Sequence, residues 1–243
     1  MLPSLLAALA LVLVHWITPQ LRFLSNRPRS RWLSFAGGAS IAYVFLHLLP
    51  EIAEGHELLV EETGEAPLGG FGIWLVSLGA LLAFYGVERA VQSRELRADA
   101  EKDHESHPGV YRVHLASFAL YNLVTGYLLV DRGAGEHGLL PLVTYAVAMA
   151  LHLLITDFGL LEAFRAGYLR HGRPILSAAV LLGWGIGAAT EVPELWIALV
   201  MAALGGSVIL NVLKEELPKE RESRFSALLL GAAAFALLLW LEG

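Results

Sequence analysis

A histidine, a threonine and an aspartate lie close together in a long apolar stretch of the chain. The stretch reads ALHLLITDFGLLEAF over residues 150–164, and it contains His152, Thr156 and Asp157. An ionisable side chain at the centre of a bilayer costs at least ~2.5 kcal/mol on insertion scales. Such a group is expected to face a protein interior, a partner or water, so His152 and Asp157 are candidate functional residues.

A second polar set lies in the preceding apolar stretch, LYNLVTGYLL, which carries Asn122 and Thr125. These two residues share a helix face, as do His152 and Thr156, because their spacings are three and four. Asn122 lies roughly 15 Å into its helix, near the middle of a bilayer, and His152 lies at a similar depth in the next helix. His and Asp suit a divalent transition metal, with Asn as a weaker oxygen ligand. Hydrogen bonding between helices is the structural alternative for this set.

One geometric limit applies to His152 and Asp157, the ionisable pair of residues 150–164. His152 and Asp157 are five residues apart, so they point about 140° from each other on a regular helix. One ion could reach both only with a distorted helix or with help from other helices. We expect both side chains to face the interior of the protein, toward Asn122, rather than lipid.

Eight apolar blocks separated by short polar loops indicate a membrane protein. Of the 243 residues, 56% are hydrophobic, and a spanning helix needs roughly 20 mostly apolar residues. Blocks that are apolar on all sides are not typical of the amphipathic helices of a soluble core. The sequence therefore predicts an all-α, polytopic protein with a single transmembrane domain over 1–243. Its eight predicted spans cover about 2–19, 32–50, 71–88, 112–130, 139–164, 174–190, 194–213 and 224–241.

Basic residues alternate between the loops. Sixteen of the 17 Lys and Arg residues lie in the loops after odd-numbered spans, and Arg132 is the exception. By the positive-inside rule these loops are cytoplasmic and both termini face outside. The first block lacks a basic n-region and a good cleavage site, so we interpret it as a retained span. A cell membrane is the expected location, and the inner membrane if the protein is bacterial.

Two segments align without gaps at an offset of 168 residues. Residues 37–50 read GGASIAYVFLHLLP and residues 205–218 read GGSVILNVLKEELP, with shared paired glycines and a shared Leu-Pro ending. Chance similarity between apolar helices is the alternative. Because the two spans cross in opposite directions, the pair predicts an inverted repeat, which is common in secondary transporters. The implied arrangement is 3+2+3, with spans four and five as the central pair.

With these features the chain resembles the ZIP family of divalent-metal transporters along nearly its whole length. The resemblance includes the eight spans, the outside termini, a longer cytoplasmic loop after span three, HLLPE at 47–51 and the segment at 205–218. It implies a metal site at the centre of spans four and five. The implied substrate is a divalent cation such as zinc, iron or manganese, and no resident cofactor is expected.

The family's motifs in these spans, H-N-x-x-D-G and H-E-x-P-H-E, are only partly kept. In YNLVTG, Asn122 matches the first motif, whereas Tyr121 replaces its His and Thr125 replaces its Asp. In HLLITD, His152 matches the second motif and Asp157 replaces its final Glu. We therefore predict a reduced site for one cation. The predicted ligands are Asn122, His152 and Asp157, and the supporting residues are Tyr121, Thr125 and Thr156.

Charged residues near the ends of spans two and seven are candidates for the pathway. His47 and Glu51 share a helix face at the start of an acidic segment and are predicted to line an entrance. A solvated acidic loop is the alternative. Glu215 is a candidate exit residue, with the alternative of an interfacial charge beside Lys214 and Lys219.

The leading prediction is a ZIP-like transporter of a divalent cation, and two alternatives stay open. The lost ligands favour a non-transporting ZIP-like protein with a structural or regulatory role. An intramembrane metal-dependent hydrolase would need about three firm ligands at one level. No nucleophilic triad is apparent, so we do not expect an enzyme, and the absence of cysteine excludes disulfides and thiolate metal sites. Expected partners are membrane lipid and the metal ion, with a homodimer as one option and no nucleic acid.

Overall fold

The computed structural model describes residues 1–21, 31–64, 67–100, 108–134, 139–212 and 224–242. These residues are almost entirely helical and contain no strand, which confirms the all-α prediction. Eight long helices, one for each predicted span, are named α1 to α8 in chain order. Their bounds are Leu2–Ile17, Arg31–Thr63, Gly72–Ala100, Pro108–Ala134, Leu140–Ala163, Arg165–Ala189, Glu194–Asn211 and Phe225–Glu242.

Three helices contain turns of other types. A 3₁₀ turn, Thr18–Gln20, prolongs α1. A π turn, Val44–Leu48, lies within α2, and a second π turn, Tyr168–Gly172, lies near the start of α6. Because π turns often occur at functional sites, the placement of His47 in the first one and of Tyr168 in the second is of interest.

The apolar helices are compatible with a membrane protein. Large apolar side chains such as Leu6, Leu182 and Leu230 are more than half exposed, as expected for surfaces that face lipid. Four helical segments are long and apolar enough to cross a bilayer, and three further apolar helices are shorter. The long segments are Leu2–Gln20, Arg31–Thr63, Leu140–Ala163 and Arg165–Ala189, and the shorter ones are Gly72–Val87, Glu194–Leu210 and Phe225–Trp240.

The acidic segment after span two is mostly helical, not a loop. Helix α2 has 33 residues, about 50 Å at 1.5 Å per residue, so it extends well beyond a hydrocarbon layer of about 30 Å. Glu and Leu are good helix formers, and they continue the helix to Thr63. It ends at Gly64, whose φ of +70° suits glycine at a helix C-terminus. The alternative of a solvated acidic loop, which charge and polarity suggested, is therefore wrong for residues 51–63, which are helical.

Glycine allows α4 and α6 to pack with their backbones in close contact. A Cβ atom added to Gly126 would overlap the carbonyl of Val180, and one added to Gly183 would overlap the carbonyl of Leu123. Close approach at small residues is a general way to pack helices in membranes, where apolar burial gives little drive for association. This contact fixes the position of α4, which carries Asn122.

The aligned glycines of the predicted repeat make equivalent contacts. A Cβ atom at Gly38 in α2 would overlap the carbonyl of Leu228 in α8. At the aligned position, a Cβ atom at Gly206 in α7 would overlap the carbonyl of Ser77 in α3. Residues 213–218, the end of the second aligned segment, lie outside the described residues.

Gly183 and Gly185 give a matched test of the α4–α6 contact. We expect Gly183→Ala to lower the free energy of unfolding by about 1–3 kcal/mol, because the new methyl group overpacks the helix crossing. A Cβ atom at Gly185 meets no atom within 4 Å. Gly185→Ala should therefore be neutral or stabilise by at most about 1 kcal/mol through helix propensity. Thermal unfolding in detergent measures both, and equal effects of the two variants would contradict the assigned crossing.

Candidate functional site

A buried hydrogen-bonded network joins α1, α4 and α5. His15 in α1 lies between the other two members: its Nδ1 is 2.7 Å from Oδ2 of Asp157, and its Nε2 is 3.0 Å from Oδ1 of Asn122. The exposed fraction of each of the three residues is at most 1%. One imidazole therefore connects three helices that are far apart in the sequence.

The hydrogen bonds determine how many protons the network holds. The amide Nδ2 of Asn122 donates to the carbonyl of Phe118 at 2.8 Å, so Oδ1 is the atom that faces His15. Because an amide oxygen only accepts hydrogen bonds, Nε2 of His15 must carry a proton. One further proton lies in the contact between Nδ1 and Asp157. Whichever of the two groups carries that proton, the His15–Asp157 pair has no net charge.

That neutrality is what makes the burial of two ionisable groups tolerable. An isolated buried charge is very costly, and a buried pair is acceptable when its members are close and their remaining atoms are hydrogen-bonded. Removal of one partner would strand the other. The network is thus a strong constraint on how α1, α4 and α5 pack.

The C-terminal end of α1 is held against α6 by three further contacts. The Tyr168 hydroxyl donates to the carbonyl of His15 at 3.1 Å. The indole Nε1 of Trp16 donates to the hydroxyl of Ser177 at 3.1 Å. The Arg173 guanidinium lies 4.7 Å from the centre of the Trp16 ring, within the range of a cation–π interaction. These contacts position the imidazole of His15 for both of its partners.

Of the predicted ligands, Asn122 and Asp157 meet in the network, whereas His152 makes a different contact. The His152 ring is buried, and its centroid lies 5.3 Å from that of Tyr121. The Tyr121 hydroxyl donates to the sulfur of Met149 at 3.2 Å. His152 and Asp157 thus take part in different contacts, as their spacing of five residues on one helix indicates.

The predicted supporting threonines are buried beside these contacts. Thr125 in α4 has an exposed fraction of 0%. The Thr156 hydroxyl lies 3.0 Å from the carbonyl of His152 and 3.2 Å from the carbonyl of Leu153, so its proton is directed to its own helix. An oxygen lone pair of Thr156 is still able to accept a hydrogen bond or a weak cation contact.

Near the middle of α2, the predicted entrance residues belong to a charged cluster. Glu51 forms an ion pair with Arg132 of α4, and Nε2 of His47 lies 3.9 Å from the Glu51 carboxylate. The His47 ring also lies 5.4 Å from the ring of Tyr43. Arg132 is the basic residue that the loop count left as the exception, and its ion pair joins α2 to α4. Glu215, the candidate exit residue, lies outside the described residues.

His15 was absent from the sequence-based site because the predicted ligands were all in the two central spans. The signal was available, since His15 is the one ionisable side chain in the first apolar block, residues 2–19. Helix periodicity could not show its partners, because a contact between α1 and α5 bridges 142 positions in the chain.

The network offers a mixed set of ligands rather than a cluster of strong ones. Within the described ranges, no group of three or more His, Cys, Asp and Glu side chains is placed to hold a metal ion. His15, Asn122 and Asp157 offer an imidazole nitrogen, an amide oxygen and a carboxylate. A divalent cation accepts such nitrogen and oxygen ligands when water completes its coordination.

No protein-family model matches the chain, and no curated protein matches it at a significant level.

Removal of the central imidazole tests whether the network stabilises the fold. We expect His15→Ala to lower the free energy of unfolding by about 1–3 kcal/mol, because Asn122 and Asp157 lose their shared buried partner. His171→Ala is the matched control, since His171 is exposed and should change stability by no more than about 0.5 kcal/mol. Unfolding in detergent at fixed pH measures both variants.

A double-mutant cycle separates the His15–Asp157 contact from general packing. His15→Ala and Asp157→Ala should be non-additive by roughly 0.6 kcal/mol or more, the range found for polar contacts between membrane helices. Strict additivity of the two substitutions would show that the contact contributes nothing to stability.

Proposed function

We propose that the protein is a multi-pass membrane transporter of a divalent metal cation, with its substrate site at the network of His15, Asn122 and Asp157. The observation that carries this proposal is the meeting of two ionisable groups from different helices in a buried interior. Ionisable groups inside membrane segments are characteristic of ion and substrate pathways. His15 also supplies a nitrogen ligand from a third helix, which offsets part of the ligand loss in the ZIP-like motifs.

The helix packing supports a 3+2+3 arrangement with inverted repeats. In such a repeat, helices α1, α2 and α3 correspond to α6, α7 and α8 in that order, and α4 corresponds to α5. The contact between α2 and α8 then corresponds to the contact between α7 and α3. In the same way, the contact between α4 and α6 corresponds to the contact between α5 and α1. All four pairs pack together, and three of them are the most extensive helix pairs in the fold. The equivalent backbone contacts of Gly38 and Gly206 add to this support.

Cation binding at this site requires rearrangement of a proton. The ligand atoms of His15 and Asp157 that face each other share one proton, and a cation between them would take its place. Asn122 accepts from Nε2, on the side of the imidazole away from Asp157, so it orients His15 and does not itself reach a cation held at Nδ1. The substrate is then bound by groups from α1 and α5, and α4 positions the imidazole.

A second function is favoured by one specific observation, which is that the network is already complete. Both nitrogens of His15 and both ends of the Asn122 amide have hydrogen-bond partners. A saturated polar network can serve to fix a unique packing without any ligand. This favours a non-transporting membrane protein, in which Asp157 fastens α1 to α5.

Calorimetry with zinc, iron(II) or manganese(II) distinguishes the two functions. We expect the native protein to bind at least one of these ions, and Asp157→Asn to weaken binding by at least roughly tenfold, since even outer-sphere changes at metal sites cost about 10–100-fold. Titrations in two buffers of different ionisation enthalpy should show about one proton released per ion, and binding should weaken as the pH falls.

His171→Ala serves as the control in the same titrations, because it removes an exposed histidine from another part of the chain. Native binding that neither Asp157→Asn nor His15→Gln reduces would place the cation elsewhere. Absence of binding and of flux in proteoliposomes for all three ions would leave the structural function.

The chain has no cysteine, so single cysteines can test the proposed topology directly. Glu61 in α2 and Ser93 in α3 are both exposed. A Glu61→Cys variant should react with a membrane-impermeant reagent added outside, and a Ser93→Cys variant should react only from the cytoplasmic side. Reaction of both from the same side would contradict the orientation derived from the basic residues.

A further inference from the structure

A polar cavity of about 330 Å³ lies where α1 and α5 end. Glu162 and Arg165 line it, and both residues are exposed. Thr18 and Leu161 line it from the buried side, with exposed fractions of 1% and 7%. The cavity therefore extends from charged residues at the protein surface to two buried residues inside.

The buried end of this cavity is adjacent to the His15–Asp157 pair. Thr18 follows His15 by three residues, and Leu161 follows Asp157 by four. Thr18 therefore shares a helix face with His15, and Leu161 shares one with Asp157. At 1.5 Å per residue, Thr18 lies about 4.5 Å and Leu161 about 6 Å along the helix axis from the pair. The buried end of the cavity is thus about one helix turn from the pair.

On the side of the pair away from the cavity, the neighbouring side chains of α1 and α5 are apolar and buried. Leu11 precedes His15 by four residues and is 0% exposed, and Leu153 precedes Asp157 by four residues and is 2% exposed. Both belong to the main apolar core. The pair thus has a cavity one turn away on one side and packed leucine on the other.

A second cavity shows why this one is the better path for water. It has about 390 Å³ and lies between α3, α4 and α7, where Ala, Phe, Leu and Val residues form most of its wall. Water enters a cavity when polar groups are available to bond it, and apolar cavities of similar size stay dry. Carboxylate, guanidinium and hydroxyl groups at the α1–α5 cavity meet that requirement.

We propose that the α1–α5 cavity is a water-filled vestibule, the route by which water and cations reach His15 and Asp157, with Thr18 and Leu161 as its innermost layer. From the distribution of basic residues, it opens to the cytoplasm. The passage of cations rests on the proposed function above, whereas the access of water does not. Glu162 and Arg165 carry opposite charges at the mouth, so together they supply polar groups for water without a net charge.

Four single-cysteine variants of the full chain test the vestibule in vesicles of known orientation. Thr18→Cys and Leu161→Cys report on its inner layer, and Leu11→Cys and Leu153→Cys are matched controls on the same helices. The probe is 2-(trimethylammonium)ethyl methanethiosulfonate, a small impermeant cation that reacts with accessible thiols, and no metal is added. Elution of each variant as a single species in detergent confirms that it is folded.

We expect Thr18→Cys and Leu161→Cys to react from the cytoplasmic side roughly tenfold or more faster than the two controls, because they line the cavity whereas Leu11 and Leu153 pack within the apolar core. Neither should react from outside. Protection of both folded vestibule variants from both sides overturns the proposal, as does faster reaction of the controls. If only one of Thr18→Cys and Leu161→Cys folds, the labelling of that variant decides whether the vestibule is present.

The outcomes also separate the vestibule from the proposed transport. Cytoplasmic labelling together with failure of zinc, iron(II) and manganese(II) binding leaves a hydrated vestibule in a protein that carries no such ion. Ion binding that depends on Asp157, together with complete protection of Thr18→Cys and Leu161→Cys, overturns the vestibule alone.

Discussion

The shared proton between His15 and Asp157 is the constraint on which the rest of the structure depends. An aspartate in an apolar helix bundle needs a partner that neutralises it, and the imidazole at 2.7 Å meets that need. Asn122, on a third helix, then accepts a hydrogen bond from the other nitrogen of the imidazole. Because the three groups must meet within hydrogen-bond distance, α1, α4 and α5 have little freedom to slide or rotate relative to one another.

Close backbone packing is the second requirement, because it brings these helices near enough for short polar side chains to meet. Gly126 and Gly183 let α4 lie directly against α6, which in turn holds the end of α1 through Tyr168. An asparagine and a histidine cannot bridge a wide gap. The glycine contacts and the polar network are therefore two parts of one arrangement, in which the first sets the spacing and the second sets the register.

The sequence predicted the helices and two of the three network residues, each from a different signal. Long apolar blocks are a strong signal, and the number of long helices follows from them. Helix faces and depths were enough to predict that Asn122 and Asp157 are interior residues, and both are buried. His15 could not be linked to them, because helix periodicity shows the face of a residue but not which helix lies opposite. The extent of α2 was misjudged since acidic residues favour both exposed helix and loop.

The same hydrogen bonds that stabilise the fold would set the strength of cation binding. A cation that displaces one proton loses about 1.4 kcal/mol of binding free energy for each unit of decrease in pH, while that proton remains bound in the free protein. It must also replace contacts that are already satisfied, so tight binding is not expected from His15 and Asp157. After release, however, the network re-forms with no net charge and no stranded donor. Under the proposed function, a site that is complete in its empty state would discharge a cation at low cost, which suits transport better than permanent storage of a metal.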